Sequence, residues 1–146
     1  MQGVLDRFGQ IEPKVMLTVD GYVYDGKGQD IREKVAKVVA GLPKLKKLVV
    51  IPFLEKHPDL KAHPSAELFD SWLADFPAGP VPYKQLPFDH PLNIIYSTGT
   101  TGVPKCILHC SGGVLLQHLK EHTLHVDVKL GDRLFYFTTM SWMLWN

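Results

Sequence analysis

Residues 96–113 read YSTGTTGVPKCILHCSGG, a stretch of small and hydroxyl-bearing side chains set between two apolar runs. Ser97, Thr98, Thr100 and Thr101 carry hydroxyl donors, Gly99 and Gly102 carry no side chain, and Lys105 ends the stretch with a single cation. Glycine enters positive φ at no steric cost and leaves the backbone open to close approach. Successive amides in such a turn make a concavity that binds anions. Neutral donors around one cation suit a polyphosphate that is held briefly and then released. The spacing is not GxxxxGK[ST], because Pro104 stands five residues after Gly99 and Cys106 follows the lysine. Nor does the stretch contain the G-x-G of a kinase-type loop. The same composition also permits a plain, flexible surface turn.

Other residues of chemical interest are fewer. Cys106 and Cys110 lie roughly 13 Å apart if extended at about 3.3 Å per residue, too far for a disulfide. They are read as two reduced thiols, with His109 between them facing the other way. His118 and His122 are four apart on one helical face and could begin a zinc site. Glu121 does not complete H-E-x-x-H, however, and no third ligand is evident, so no metal is expected.

These residues need elements to hold them. KVMLTV (14–19) and KLVVIPF (47–53) are β-branched runs, and between them Ile31, Val35, Val38, Val39 and Leu42 recur at helical spacing. Strand, helix and strand make a βαβ unit, whose crossover is expected to be right-handed. Asp30 with Glu33 predicts a capping-box start, Gly41 a helix stop, and DGYVYDGKGQ (20–29) a turn region. Residues 52–91 hold eight of the eleven prolines. Within them, Ser65 is expected to cap a helix over 65–76 whose stripe is Leu68, Phe69, Trp72, Leu73 and Phe76. PAGPVPYKQLPFDHP then reads as a connector. LNIIYS (92–97), KCILH (105–109) and RLFYFTT (133–139) predict strands. Ser111 is the expected cap of a helix over 112–125 that buries Leu115, Leu116 and Leu119. The fold class is therefore α/β, with mixed sheets flanked by helices.

Composition sets outer bounds. The chain has 146 residues, 45% hydrophobic and 21% charged, with a formal net charge of +1. That size allows one real core, and the charge offers no field for nucleic acid. The knot Lys44, Lys46, Lys47 reads as a solvated turn rather than a phosphate patch. No apolar run approaches the roughly 20 residues of a membrane span, and MQGVLDRFGQ lacks a signal-peptide segment. A cytosolic protein is expected. The aromatic terminus SWMLWN, without a polar tail, suggests a segment cut from a longer chain.

YSTGTTGVPK resembles the phosphate-binding loop of the acyl-adenylate-forming enzymes, whose usual form is Tyr/Phe-Thr-Ser-Gly-Thr/Ser-Thr-Gly-x-Pro-Lys. Here Ser-Thr replaces the commoner Thr-Ser, one hydroxyl for another. VLDRFGQIEPKVMLTVDGYVYDGK, ILH…GG…LLQHLKEH and GDRLFYFTTMSWMLWN narrow the resemblance to the ligases that join acetoacetate to coenzyme A. Acetyl- or propionyl-activating ligases are the alternative, and a non-catalytic truncated remnant is another. The resemblance covers essentially all 146 residues and corresponds to part of the family's large N-terminal, AMP-binding domain. It implies ATP, Mg²⁺ and coenzyme A, with acetoacetate as the acid. Ser97, Thr98, Gly99, Thr100, Thr101, Gly102 and Lys105 would hold the ATP phosphates. Trp142, Met143 and Leu144 would line the acyl pocket, or equally be core aromatics and aliphatics. The family's catalytic lysine belongs to a C-terminal domain that this chain lacks, so no catalytic residue is assigned here.

Overall fold

In the computed structural model, residues 1–61, 63–97 and 102–139 are described. The chain divides into two compact units, Met1–Pro80 and Val81–Asn146.

The first unit is built on a parallel sheet. β1 (Val15–Val19) pairs with β4 (Lys47–Ile51), and β4 with β5 (Ala66–Leu68). α2 (Arg32–Ala40) makes the crossover from β1 to β4, as the βαβ pattern predicts. Its Val35, Val38 and Val39 join Leu42, Leu45, Leu48 and Val50 in the core. Parallel strands buried on both faces favour continuous β-branched runs over alternation, and KLVVI is such a run. Lys44 pairs with Glu12 at 2.7 Å and Lys47 with Glu67, so two of the three knot lysines are ion-paired.

Several expectations for this unit need correction. α1 (Gln2–Ile11) is a helix that the pattern analysis did not assign; Gly3 and Gly9 weaken its local propensity, and Leu5 and Phe8 dock it on the core. The expected turn region is a hairpin of β2 (Gly21–Tyr24) and β3 (Lys27–Asp30). Asp25 and Gly26 both take positive φ, 49° and 71°, the tight-turn geometry that suits twisted strands. No capping box forms at α2. Asp30 accepts the Arg32 N–H at 2.8 Å, while Glu33 turns to Lys37 at 2.5 Å. Gly41 does end the helix, its N–H bonding to the Val38 carbonyl.

The expected helix over 65–76 begins only at α3 (Phe69–Ala74), because β4 offers ladder bonds that draw Ala66–Leu68 into the sheet. Ser65 does not cap it, bonding His63 Nδ1 through both its N–H and its hydroxyl. The aromatic stripe persists as ring contacts from Phe69 to Trp72 to Phe76, at 6.3 and 5.9 Å.

A buried carboxylate ties this unit's loops together. Asp20 follows β1 and is 2% exposed. Its oxygens accept N–H bonds from Phe53, Leu54 and Glu55, at 2.7 to 3.1 Å. Burial pushes this carboxyl up, but the backbone donors of Leu54, Glu55 and Phe53 outweigh it and hold it below its ordinary value. Arg32 grips the same loop from the other side, bridging Asp30 and Glu55.

The second unit is an antiparallel pair, β6 (Pro91–Ser97) and β7 (Lys105–Cys110), followed by α4 (Ser111–Lys120) and a π-helical turn over Glu121–His125. Ser111 is not the cap. Both its N–H and its hydroxyl donate to the His90 carbonyl, at 2.9 and 3.1 Å. The Gly112 N–H bonds the Phe88 carbonyl at 2.9 Å, so the proline-rich connector is stapled to the start of α4.

A Cβ at Gly112 would lie 2.1–2.4 Å from three atoms of the Phe88 ring. Gly112→Ala is therefore expected to destabilise this unit by about 1–3 kcal/mol. The measurement is a thermal midpoint. Adding Phe88→Leu should restore part of the loss, whereas an unchanged midpoint for Gly112→Ala would disprove the contact.

Two further expectations fail in the second unit. Residues 133–139 form no strand; Leu134, Phe135, Tyr136 and Phe137 are exposed and have no ladder partner among the described residues. Leu115, Leu116 and Leu119 are not buried either, at 60%, 58% and 54% exposed. Apolar patches of this kind drive association. The isolated 146 residues are expected to self-associate at micromolar concentration, as sedimentation velocity would show. Leu115→Glu with Leu119→Glu should shift the distribution toward monomer.

Candidate functional site: the loop between β6 and β7

β6 carries the apolar run of 92–97 up to the hydroxyl-rich loop, and β7 carries the chain away from it. The two strands are antiparallel, and Ser97 and Lys105 are the last cross-strand partners before the loop opens. Both ends of the hydroxyl-rich stretch are thus fixed to one another by the ladder. Ser97 is half-buried and Lys105 exposed. Lys105 makes no ion pair among the described residues, which leaves its charge available to a ligand. Gly102 sits at φ +94°, in the region that a side chain rarely adopts, with nothing within 4 Å of where a Cβ would stand. Backbone conformation, not crowding, is what requires glycine there.

Ser97, Gly102 and Lys105 are therefore brought to one end of the hairpin. Thr98, Gly99, Thr100 and Thr101 lie outside the described residues, as do Trp142, Met143 and Leu144. His118 and His122 stack with ring centroids 6.1 Å apart. No group of three or more His, Cys, Asp or Glu side chains placed to hold a metal occurs among the described residues. Cys106 and Cys110 form no disulfide. Asp132 closes the turn after the π-helical segment, accepting the Lys129 N–H at 2.7 Å.

Pattern reasoning missed Asn93. It stands in the apolar run PLNIIYS, where an amide was itself a signal, and its side-chain oxygen is buried without a hydrogen-bond partner among the described residues.

Residues 3–145 match the family of AMP-binding enzymes, and the chain belongs to that family. It is 51% identical to an acetoacetyl-coenzyme A synthetase of Rhizobium meliloti (strain 1021), over 99% of this chain and 22% of that protein. It is 47% identical to the acetoacetyl-CoA synthetase of Gallus gallus, over all of this chain and 23% of that protein. The solved acetoacetyl-CoA synthetase from Streptomyces lividans superposes with a TM-score of 0.85 at 45% identity, covering 99% of this chain and 21% of that one. The chain thus spans between a fifth and a quarter of these relatives' length.

Proposed function

We propose that this chain is part of the N-terminal adenylation domain of a ligase that activates acetoacetate with ATP and passes it to coenzyme A. The observation that carries the reading is the hairpin loop. Ser97, Gly102 and Lys105 stand at one end of β6 and β7, within a chain whose relatives bear acetoacetyl-CoA synthetase names. In the first step an acetoacetate carboxylate oxygen attacks the α-phosphorus of ATP. Pyrophosphate leaves, and an acyl-adenylate results. In the second, the coenzyme A thiol attacks the acyl carbon and AMP departs with the carboxylate oxygen.

The chemistry needs this order. A carboxylate oxygen is a poor leaving group until it is joined to phosphate. Lys105, the loop amides and the hydroxyls of Ser97, Thr98, Thr100 and Thr101 would hold the β- and γ-phosphates while charge gathers on pyrophosphate. Donors arranged in advance for that charge lower the barrier selectively. Mg²⁺ would enter with the polyphosphate, because it keeps much of its water and is held largely by substrate oxygens. Trp142, Met143 and Leu144 are the proposed wall of the acyl pocket.

The test uses the longer protein containing these residues. AMP release is followed with acetoacetate, acetate and propionate at matched concentrations. Acetoacetate should give the highest kcat/KM by at least tenfold. A preference for acetate or propionate would overturn the substrate assignment, and no acid-dependent AMP release would overturn the reaction.

A further inference from the structure

A second recess lies at the other end of the same hairpin. It has a volume of about 440 Å³ and sits between β6, β7 and the first turns of α4. Asn93 and His109, which are cross-strand partners, line its sheet side, and Gln117 and His118 its helix side. Leu108 and Val114 supply apolar wall. Asn93 is four residues upstream of Ser97, roughly 13 Å along an extended strand at about 3.3 Å per residue. The recess is therefore separate from the phosphate loop.

Two independent observations point to a ligand. The first is the orphaned Asn93 oxygen, enclosed and without a hydrogen-bond partner among the described residues. Buried polar atoms are nearly always paired, so an exception calls for an absent partner. Asn93 itself lines the recess, so its side-chain amide is a group that a ligand there would meet. The second is the character of the walls, where amides and imidazoles meet aliphatic carbon and no Asp, Glu, Lys or Arg takes part. Gln117 already donates to Glu121 at 2.8 Å, which leaves its amide oxygen as a further acceptor. A few convergent polar groups in a mostly apolar concavity are the usual make-up of a small-molecule site.

We propose that this recess binds a small uncharged molecule that carries an N–H or O–H donor, an acceptor beside it and a short hydrocarbon body. The donor bonds Asn93, the acceptor takes a proton donor from His109 or His118, and the hydrocarbon rests on Leu108 and Val114. A carboxamide meets these demands, whereas a carboxylate of the same shape offers no donor to the Asn93 oxygen and meets no Lys or Arg in the wall.

The probe is propionamide, read by saturation-transfer NMR on the longer protein, with propionate as the charged isostere. Transfer to propionamide should exceed that to propionate at least tenfold. Asn93→Leu should cut it at least fivefold while acetoacetate-dependent ATP–pyrophosphate exchange stays within twofold of the parent. If Asn93→Leu fails to fold, Val114→Phe fills the recess from the helix side and should give the same loss. Undiminished transfer in a folded variant, equal transfer to propionate, or a crystal of the soaked protein with only water or the protein's own chain in the recess would each overturn the proposal. A protein without exchange activity but with selective amide transfer would fault the proposed reaction and leave this site standing.

Discussion

Lys105→Ala in the longer protein is expected to lower acetoacetate-dependent ATP–pyrophosphate exchange by roughly 10²–10³-fold, the usual loss when one preorganised donor is removed. Thiolysis of supplied acetoacetyl-adenylate should be spared by comparison, since pyrophosphate has already left before the thiol attacks. The reasoning is differential: an interaction matters to a step only if it strengthens toward that step's transition state. Lys105 stands exposed at the mouth of the loop, opposite Ser97, with no ion pair among the described residues to occupy it. Thr101→Val should act in the same direction but more weakly, because it removes one neutral donor and leaves the volume unchanged. Exchange and single-turnover thiolysis measured side by side decide the matter. Equal losses in both, with circular dichroism unchanged, would mean that the loop is scaffolding.

The second large effect is on stability. Asp20→Ala strips the partner from three backbone N–H groups at once, those of Phe53, Leu54 and Glu55. Leaving a buried donor unsatisfied costs about 1–3 kcal/mol, so a loss of about 3 kcal/mol or more is expected. Its signature should be local: hydrogen exchange of the 53–55 amides should accelerate by at least a hundredfold.

The same carboxyl gives a pH dependence of definite sign. Its folded value is depressed, so its contribution is complete above the unfolded value near 3.9. It fades as pH falls through the folded value. Below about pH 4 the parent should lose protection in this loop, whereas Asp20→Asn, already weakened, should change little over that interval. A loop whose protection in the parent is flat from pH 6 to pH 3 would refute this account of Asp20.

What could be read in advance follows from how far apart the interacting residues lie. The motif of 96–105 stands out because its residues are contiguous in the sequence, and the β1–α2–β4 unit was legible because β-branched runs and a 3.6-residue period are local marks. α1 was hidden by two glycines, and its helical state rests on Leu5 and Phe8 reaching the core. β5 is three residues long and exists because β4 pairs with it, so no pattern within AEL could announce it. The hairpin of β2 and β3 had a real signal in Asp25-Gly26, but a turn signal alone does not name its strands. Asp20 looked like a turn residue before Gly21, since its donors lie 33 to 35 positions away. RLFYFTT has the composition of a strand, but a strand needs a neighbour to exist.

The cross-strand pairing of Ser97 with Lys105 also bears on how this loop tolerates changes of length. Side chains alternate between the faces of a strand, and a slip of one residue moves every side chain to the other face. Deleting Cys106 would force a choice: either Lys105 moves to the opposite face or the rest of β7, including Ile107 beside Ile95, gives up its register. Insertions or deletions confined to residues 98–104 leave that ladder intact. Sequence libraries that vary loop length between Ser97 and Lys105 should therefore yield folded proteins with altered nucleotide handling. Libraries that vary the length of β7 should yield few folded members.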